Sequence, residues 1–115
     1  MLDKREYLII LKDFYASLLT DKQQYVLELY YEHDLSLSEI AEEMGISRQA
    51  VYDLLKRSEG LLHDYEAKLG LVQRFLAIKS KLEKVCTLLE DDKWGTDDDR
   101  RHEIAGMLRE ITELL

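Results

Sequence analysis

The stretch SLSEIAEEMGISRQAVYDLLKR, residues 36–57, decides the fold. Ser36 followed three positions later by Glu39 is the signature of a capping box, in which each side chain satisfies the other's unpaired backbone N–H. The helix it opens is short and turns Leu37, Ile40, Ala41 and Met44 inward. Gly45 ends it, because only glycine enters the left-handed backbone region without a Cβ penalty. Ser47 then caps a second helix whose Val51, Leu54 and Leu55 face the core. Ala41 is small enough to let the two helices approach, and Ile46 plugs the corner between them. Two helices joined at a steep angle through so tight a turn form a helix-turn-helix.

Upstream, Tyr7, Ile10, Leu11, Phe14, Tyr15 and Leu18 recur at helical spacing and predict an amphipathic helix over about 3–18. Thr20 with Gln23 repeats the capping-box signal and opens a helix that buries Val26, Leu29 and Tyr30 and ends near His33-Asp34. Downstream, Leu55, Ser58, Leu62, Tyr65, Leu69, Val72 and Leu76 alternate in steps of three and four, a heptad-like series with one polar member. Two arrangements satisfy it. A helix runs through Gly60 and packs on the first helix, or the series is a seam that pairs two copies of the chain.

A further helix is expected over about 71–90, carrying Val72, Phe75, Leu76, Leu82, Val85 and Leu89. Residues 91–95 read as a linker, in which Trp94 anchors the last helix. Thr96 caps that helix and Asp97, Asp98 and Asp99 oppose the positive end of its dipole. Ile104, Leu108, Ile111 and Leu115 form its apolar stripe. The expectation is an all-α fold. It comprises a helix-turn-helix domain over 1–70 and a helical extension over 71–115 that serves packing or dimerisation.

With 115 residues, 46% of them hydrophobic, the chain can build an ordinary core without staples. Cys86 is the one cysteine, which excludes a disulfide framework and points to a reducing compartment. The opening MLDKREYL lacks the basic and apolar segments of a leader, and no stretch is apolar for long enough to span a bilayer. A cytoplasmic protein is expected. Sixteen Lys and Arg against 24 Asp and Glu leave a net charge of −8, unfavourable for phosphate contact, which draws on cations to displace counterions.

The second helix of a helix-turn-helix enters the major groove with its first residues. Here that selects Ser47, Arg48, Gln49, Tyr52, Lys56 and Arg57 as candidate nucleic-acid contacts. Arg48 suits a guanine edge and Gln49 an adenine edge, while Lys56, Arg57 and the Ser47 hydroxyl suit phosphates. Asp53 fits no phosphate, yet residues 47–58 still carry three cations against one anion. Glu32, Asp34, Glu39, Glu42 and Glu43 lie nearby, so a helical corner turned to protein binding stands as the alternative. The tyrosines Tyr25, Tyr30, Tyr31 and Tyr52 suit base stacking on RNA or, for most, core packing. His33, His63 and His102 lack helical ligand spacing, and the acidic run 97–99 lacks the alternation of a calcium loop, so no metal is expected. There is no phosphate-binding glycine loop, nucleophile–base pair or paired-carboxylate site, which argues against an enzyme and gives no cofactor.

From Leu19 to about Leu62, LTDKQQYVLELYY leading into LSLSEIAEEMGISRQAVYDLLKRSEGLL resembles the region of bacterial sigma factors that reads the −35 promoter element. A closer resemblance, strongest in FYASLLTDKQ and SRQAVYD, is to the YlxM family of small helix-turn-helix proteins. It runs over roughly Leu11 to Leu71 and fades beyond. That resemblance implies a regulatory, DNA-binding or RNA-binding role in the signal recognition particle pathway, with the particle's RNA or its GTPase as partner. It implies no active site.

Overall fold

The computed structural model describes residues 2–90 and 98–114. Among the described residues are six α-helices: α1 (Lys4–Tyr15), α2 (Asp21–Tyr31), α3 (Leu37–Met44), α4 (Arg48–Leu69), α5 (Leu71–Glu90) and α6 (Asp98–Leu114). A 3-10 turn, Ala16–Leu18, follows α1, and no strand occurs among the described residues. The chain divides into two units, Met1–Gly70 and Leu71–Leu115. The expected linker with Trp94, the Thr96 cap, Asp97 and Leu115 lie outside the described residues.

In the first unit, helix starts follow local chemistry. Thr20 and Ser36 each accept from the backbone N–H three residues on, and Gln23 and Glu39 return the bond, completing both capping boxes. A third box, Asp3 with Glu6, opens α1. Its signal was present in the sequence, since the same i, i+3 pairing stands there. Helix α1 stops at Tyr15, short of the expected 18, because the chain tightens into the 3-10 turn. That turn rotates the register by one residue: Leu18 is 53% exposed and Leu19 is buried in its place. Helix α2 ends at Tyr31, before the expected His33-Asp34, and Asp34 adopts a left-handed φ of 56°. Within α2, Tyr30, expected in the core, is only half-buried, while Leu27, which the periodicity did not single out, is fully buried.

Helix α4 runs unbroken through Gly60 and packs against α1, α2 and α3. The in-chain arrangement therefore accounts for the first part of the heptad-like series. Leu55, Ser58 and Leu62 are buried, together with Leu8, Leu11 and Tyr15 of α1, Val26, Leu27 and Leu29 of α2, and Ile40 of α3. Ser58, the polar member, is satisfied within its own helix by donating to the Leu54 carbonyl at 2.7 Å. Farther along, Tyr15 donates to Glu66 at 2.6 Å and its ring lies 6.1 Å from that of Tyr65, tying α1 to α4. The series does not continue as one seam. Leu69 is 45% exposed, and Gly70 ends α4 at φ 63°, a left-handed cap that halts the helix.

The second unit is a pair of contacting helices, α5 and α6. Val72 and Val85 are buried on α5, and Ile104 and Ile111 on α6. Lys81 of α5 donates to Glu110 of α6 at 2.5 Å. Phe75, Leu82 and Leu89, expected on an apolar face of α5, and Leu108 of α6 are instead exposed. Two helices present only one mutual contact surface, so an apolar stripe wider than that surface stays uncovered.

Candidate nucleic-acid interface

The corner between α3 and α4 is built as its residues require. Gly45 has φ 67° and ψ 34°, and its N–H donates to the Ala41 carbonyl; the Ile46 N–H donates to the same oxygen at 3.1 Å. Ser47 caps α4 by accepting from the Ala50 N–H at 3.0 Å. Ile40 and Val51 are fully buried across the corner, whereas Leu37, Ala41, Met44, Ile46 and Leu54 are half-buried. Since α3 has only eight residues and one fully buried side chain, its position rests on these contacts and on the turn rather than on helix propensity.

Arg48, Gln49 and Tyr52, with Leu37 of α3, line an open cleft of about 530 Å³ at the start of α4. All three α4 residues are exposed. The Arg48 guanidinium has no hydrogen-bond or ion-pair partner among the described residues. Gln49 is engaged, donating to Asp53 at 3.0 Å, which accounts for the one carboxylate on this face. Lys56 sits 5.7 Å from the centre of the Tyr52 ring, a cation–π distance, and 3.4 Å from Glu59. Eight residues of α-helix place Arg48 and Lys56 about 12 Å apart along the axis, a match to the roughly 12 Å width of the major groove.

Arg57 is exposed but lines no described cleft. Nine residues after Arg48, at about 100° per residue, it points to the opposite side of α4. Ser47, also exposed, accepts the cap bond at its oxygen, which leaves its O–H to donate outward. The structure thus brings together Arg48, Gln49, Tyr52 and Lys56, with Ser47 at their head, and turns Arg57 away.

The acidic neighbours are mostly spoken for. The Glu39 carboxylate accepts from the Ser36 backbone N–H within the capping box, which lowers its carboxyl below the ordinary value. Glu43 accepts from the Tyr25 hydroxyl at 3.1 Å, and this bond, ahead of burial, raises the phenol's pKa. Glu32 pairs with Lys12, whose hydrogen bond lowers the Glu32 carboxyl. Lys12 is itself buried, and a buried ammonium requires such a partner. Asp34 pairs with Arg5 at 2.7 Å. Glu42 remains exposed beside the corner.

Glu28, Glu32 and His33 bring one ligand atom each within 4.8 Å of one another, a juxtaposition that the sequence spacing did not suggest. All three are exposed; His33 lies 3.5 Å from Glu28, and Glu32 is held by Lys12, so contacts within the protein account for the cluster. Among the tyrosines, Tyr15 alone is fully buried, and Tyr25 and Tyr52 are exposed. Tyr31 donates to Glu59, and burial, followed by that bond, pushes its hydroxyl well above the ordinary phenol range. No helix among the described residues is long and apolar enough to cross a membrane.

A family profile described as "UPF0122: Putative helix-turn-helix protein, YlxM / p13 like" matches residues 2–102. The similarity therefore extends well past Leu71, where the sequence reading had it fade, and takes in α5. A UPF0122 protein of Desulforamulus reducens is 46% identical over 104 residues, covering 90% of this chain and 89% of the relative. One from Bacillus mycoides is 50% identical over 93 residues, covering 81% and 84%. Another, from Streptococcus gordonii, is 44% identical over 104 residues and covers 90% of each chain.

Proposed function

From the premise that this chain belongs to the UPF0122 family of YlxM/p13-like helix-turn-helix proteins, we propose that it is a regulatory nucleic-acid-binding protein rather than an enzyme. In this reading Arg48, Gln49 and Tyr52 meet base edges, and Lys56 and the Ser47 hydroxyl hold phosphates. Arg57 is at most a peripheral phosphate contact. The observation that carries the reading is the cleft at the head of α4, walled by an exposed, unpartnered Arg48 beside Gln49 and Tyr52. A bidentate arginine at the start of a recognition helix is the commonest specific contact to guanine.

The RNA of the signal recognition particle is the proposed physiological polymer and the targeting GTPase a proposed associate, both in the cytoplasm. The test is a titration of the full chain against that RNA and against random duplex DNA at two salt concentrations. Binding to one of them should weaken as salt rises, and Arg48→Ala should reduce it roughly 5–150-fold, the range of one good bidentate contact. Absence of binding at low salt removes the proposal.

The rival reading is an acidic adaptor that docks on a basic protein. It draws on the first unit's composition, eight Lys and Arg against fourteen Asp and Glu, and on the exposed Glu42. It requires that capture of the GTPase fall with salt and with Glu42→Lys.

For the second unit we propose a dimer seam on α5. Leu71, Phe75, Ile78, Leu82 and Leu89 fall on the 4-3 spacing of a two-helix interface, whose remaining position is the already buried Val85, and Leu71, Phe75, Leu82 and Leu89 are large, apolar and exposed. Helix-turn-helix proteins commonly bind paired half-sites as dimers, which makes a second copy the fitting occupant. A monomeric mass in sedimentation, unchanged by Leu82→Glu, would rule the seam out.

A further inference from the structure

A second cleft in the first unit, of about 270 Å³, is lined by Lys4, Arg5, Leu8, Tyr30, Tyr31 and Lys56. Three cations and no carboxylate wall it, on a unit where carboxylates outnumber cations. Such a concentration of positive charge against the local balance needs a structural reason or an anion. Arg5 has a structural reason: it donates to Asp34 at 2.7 Å and to the carbonyls of Tyr30 and Tyr31, and lies over both rings, at 5.8 and 5.1 Å. Lys56 is partly engaged, 3.4 Å from Glu59. Lys4 is exposed and has no partner among the described residues.

Lys56 also joins this cleft to the one at the head of α4, because its ammonium is the same one that lies 5.7 Å from the Tyr52 ring. Arg48, Tyr52, Lys56 and Lys4 thereby trace a track from the recognition end of α4 to the first turn of α1. Along it Asp34 holds Arg5 in place, and the buried carboxylate of Glu59 is occupied by Tyr31 and Lys56. Compact ammonium groups on flexible stems suit phosphate as a point-charge partner, while the bidentate fork at Arg48 suits a base edge.

We infer that the Lys4–Arg5–Lys56 cleft is a phosphodiester-binding site, which clamps the nucleic-acid backbone flanking the segment read by Arg48 and Gln49. The inference rests on the proposed nucleic-acid role and adds to it a contact from α1, outside the helix-turn-helix. Its consequence is that affinity, but not base preference, depends on the first turn of the chain's first helix. The signature of a backbone contact is a uniform loss across sequences with a shallower salt dependence.

The experiment measures affinity against salt concentration for whichever of the two polymers, signal recognition particle RNA or random duplex DNA, binds the full chain more tightly. Lys4→Ala, at an exposed position with no partner to lose, should leave the fold intact. It should lower the salt slope by about one and weaken binding roughly 5–10-fold near 0.1 M salt. Lys4→Arg should restore both. Arg48→Ala serves as the reference for the recognition end. An unchanged slope in Lys4→Ala while Arg48→Ala weakens binding overturns the clamp and leaves the proposed function standing. Failure of the unaltered chain to bind either polymer at low salt overturns both. Protection of Lys4 from acetylation by millimolar inorganic phosphate as complete as that by the polymer reassigns the cleft to a free phosphate and also overturns the clamp.

Discussion

The first unit closes its own core, and the second does not. Across α1 to α4, fully buried side chains from every helix meet one another, and polar bonds between distant residues, Tyr15 to Glu66, Tyr31 to Glu59 and Lys12 to Glu32, pin the helices together. Across α5 and α6 four aliphatic residues are buried, while Leu71, Phe75, Leu82, Leu89 and Leu108 remain exposed. The difference follows from geometry: four helices can surround an apolar interior, and two can only share a stripe. It also bears on the proposed function, since a self-sufficient unit can hold the exposed start of α4 rigid, and an open apolar stripe is suited to a partner.

The largest effect separating the units should come from truncating one leucine in each. Leu27→Ala, at a fully buried position of α2, is expected to cost about 2–5 kcal/mol in urea unfolding. Leu82→Ala, at an exposed position of α5, should change the stability of the isolated monomer by no more than about 0.5 kcal/mol. Equal losses would break the comparison by showing that α5 is as deeply packed as α2.

A smaller effect is expected at the corner. Gly45→Ala places a Cβ at φ 67°, where space is open but the backbone itself is strained, and should destabilise the first unit by about 1–2 kcal/mol. Gly60→Ala works in the opposite sense. Gly60 lies within α4 with nothing in the way of a Cβ, so the substitution should stabilise by roughly 0.5–1 kcal/mol in the same unfolding assay. If both alanines behaved alike, the conformational account of the two glycines would fail.

The smallest effect is on pH dependence, and it touches both units. Glu32, Glu39 and Glu110 are each held below their ordinary value of 4.5 by hydrogen bonds, from Lys12, from Ser36 and from Lys81 respectively. Groups whose folded pKa is depressed contribute stability that is present above the unfolded value and disappears as pH falls through the folded one. Unfolding midpoints should therefore be flat from pH 7 to about 5 and decline below 4.5. Glu32→Gln should flatten part of that decline, and an unaltered profile would show that its pairing with Lys12 contributes nothing.

How legible the molecule was depended on the range of the forces involved. Thr20 with Gln23, Ser36 with Glu39, Gly45 and Ser47 were readable because each acts within a single turn, through the backbone of its immediate neighbours. The same locality made Arg48, Gln49, Tyr52 and Lys56 identifiable as one face of α4, and makes Arg57 the exception that helical rotation explains. Leu18, expected on the apolar face, gives way to Leu19 because a 3-10 turn shifts the register without leaving a strong mark in composition. For Leu27 and Tyr30, periodicity alone did not choose the side that α4 would cover.

By itself, then, the sequence determined the helix starts, the left-handed corner at Gly45 and the residue types along α4, since dihedral preference and capping are settled within a few bonds. Only the tertiary structure decided that α4 packs on α1 through Tyr15 and Glu66, and that Arg5 is locked by Asp34. It alone brought Lys4 and Lys56, 52 positions apart in the chain, to one cleft. Such meetings arise where helices bury their apolar stripes against one another, and the charges at the rim go wherever that packing carries them.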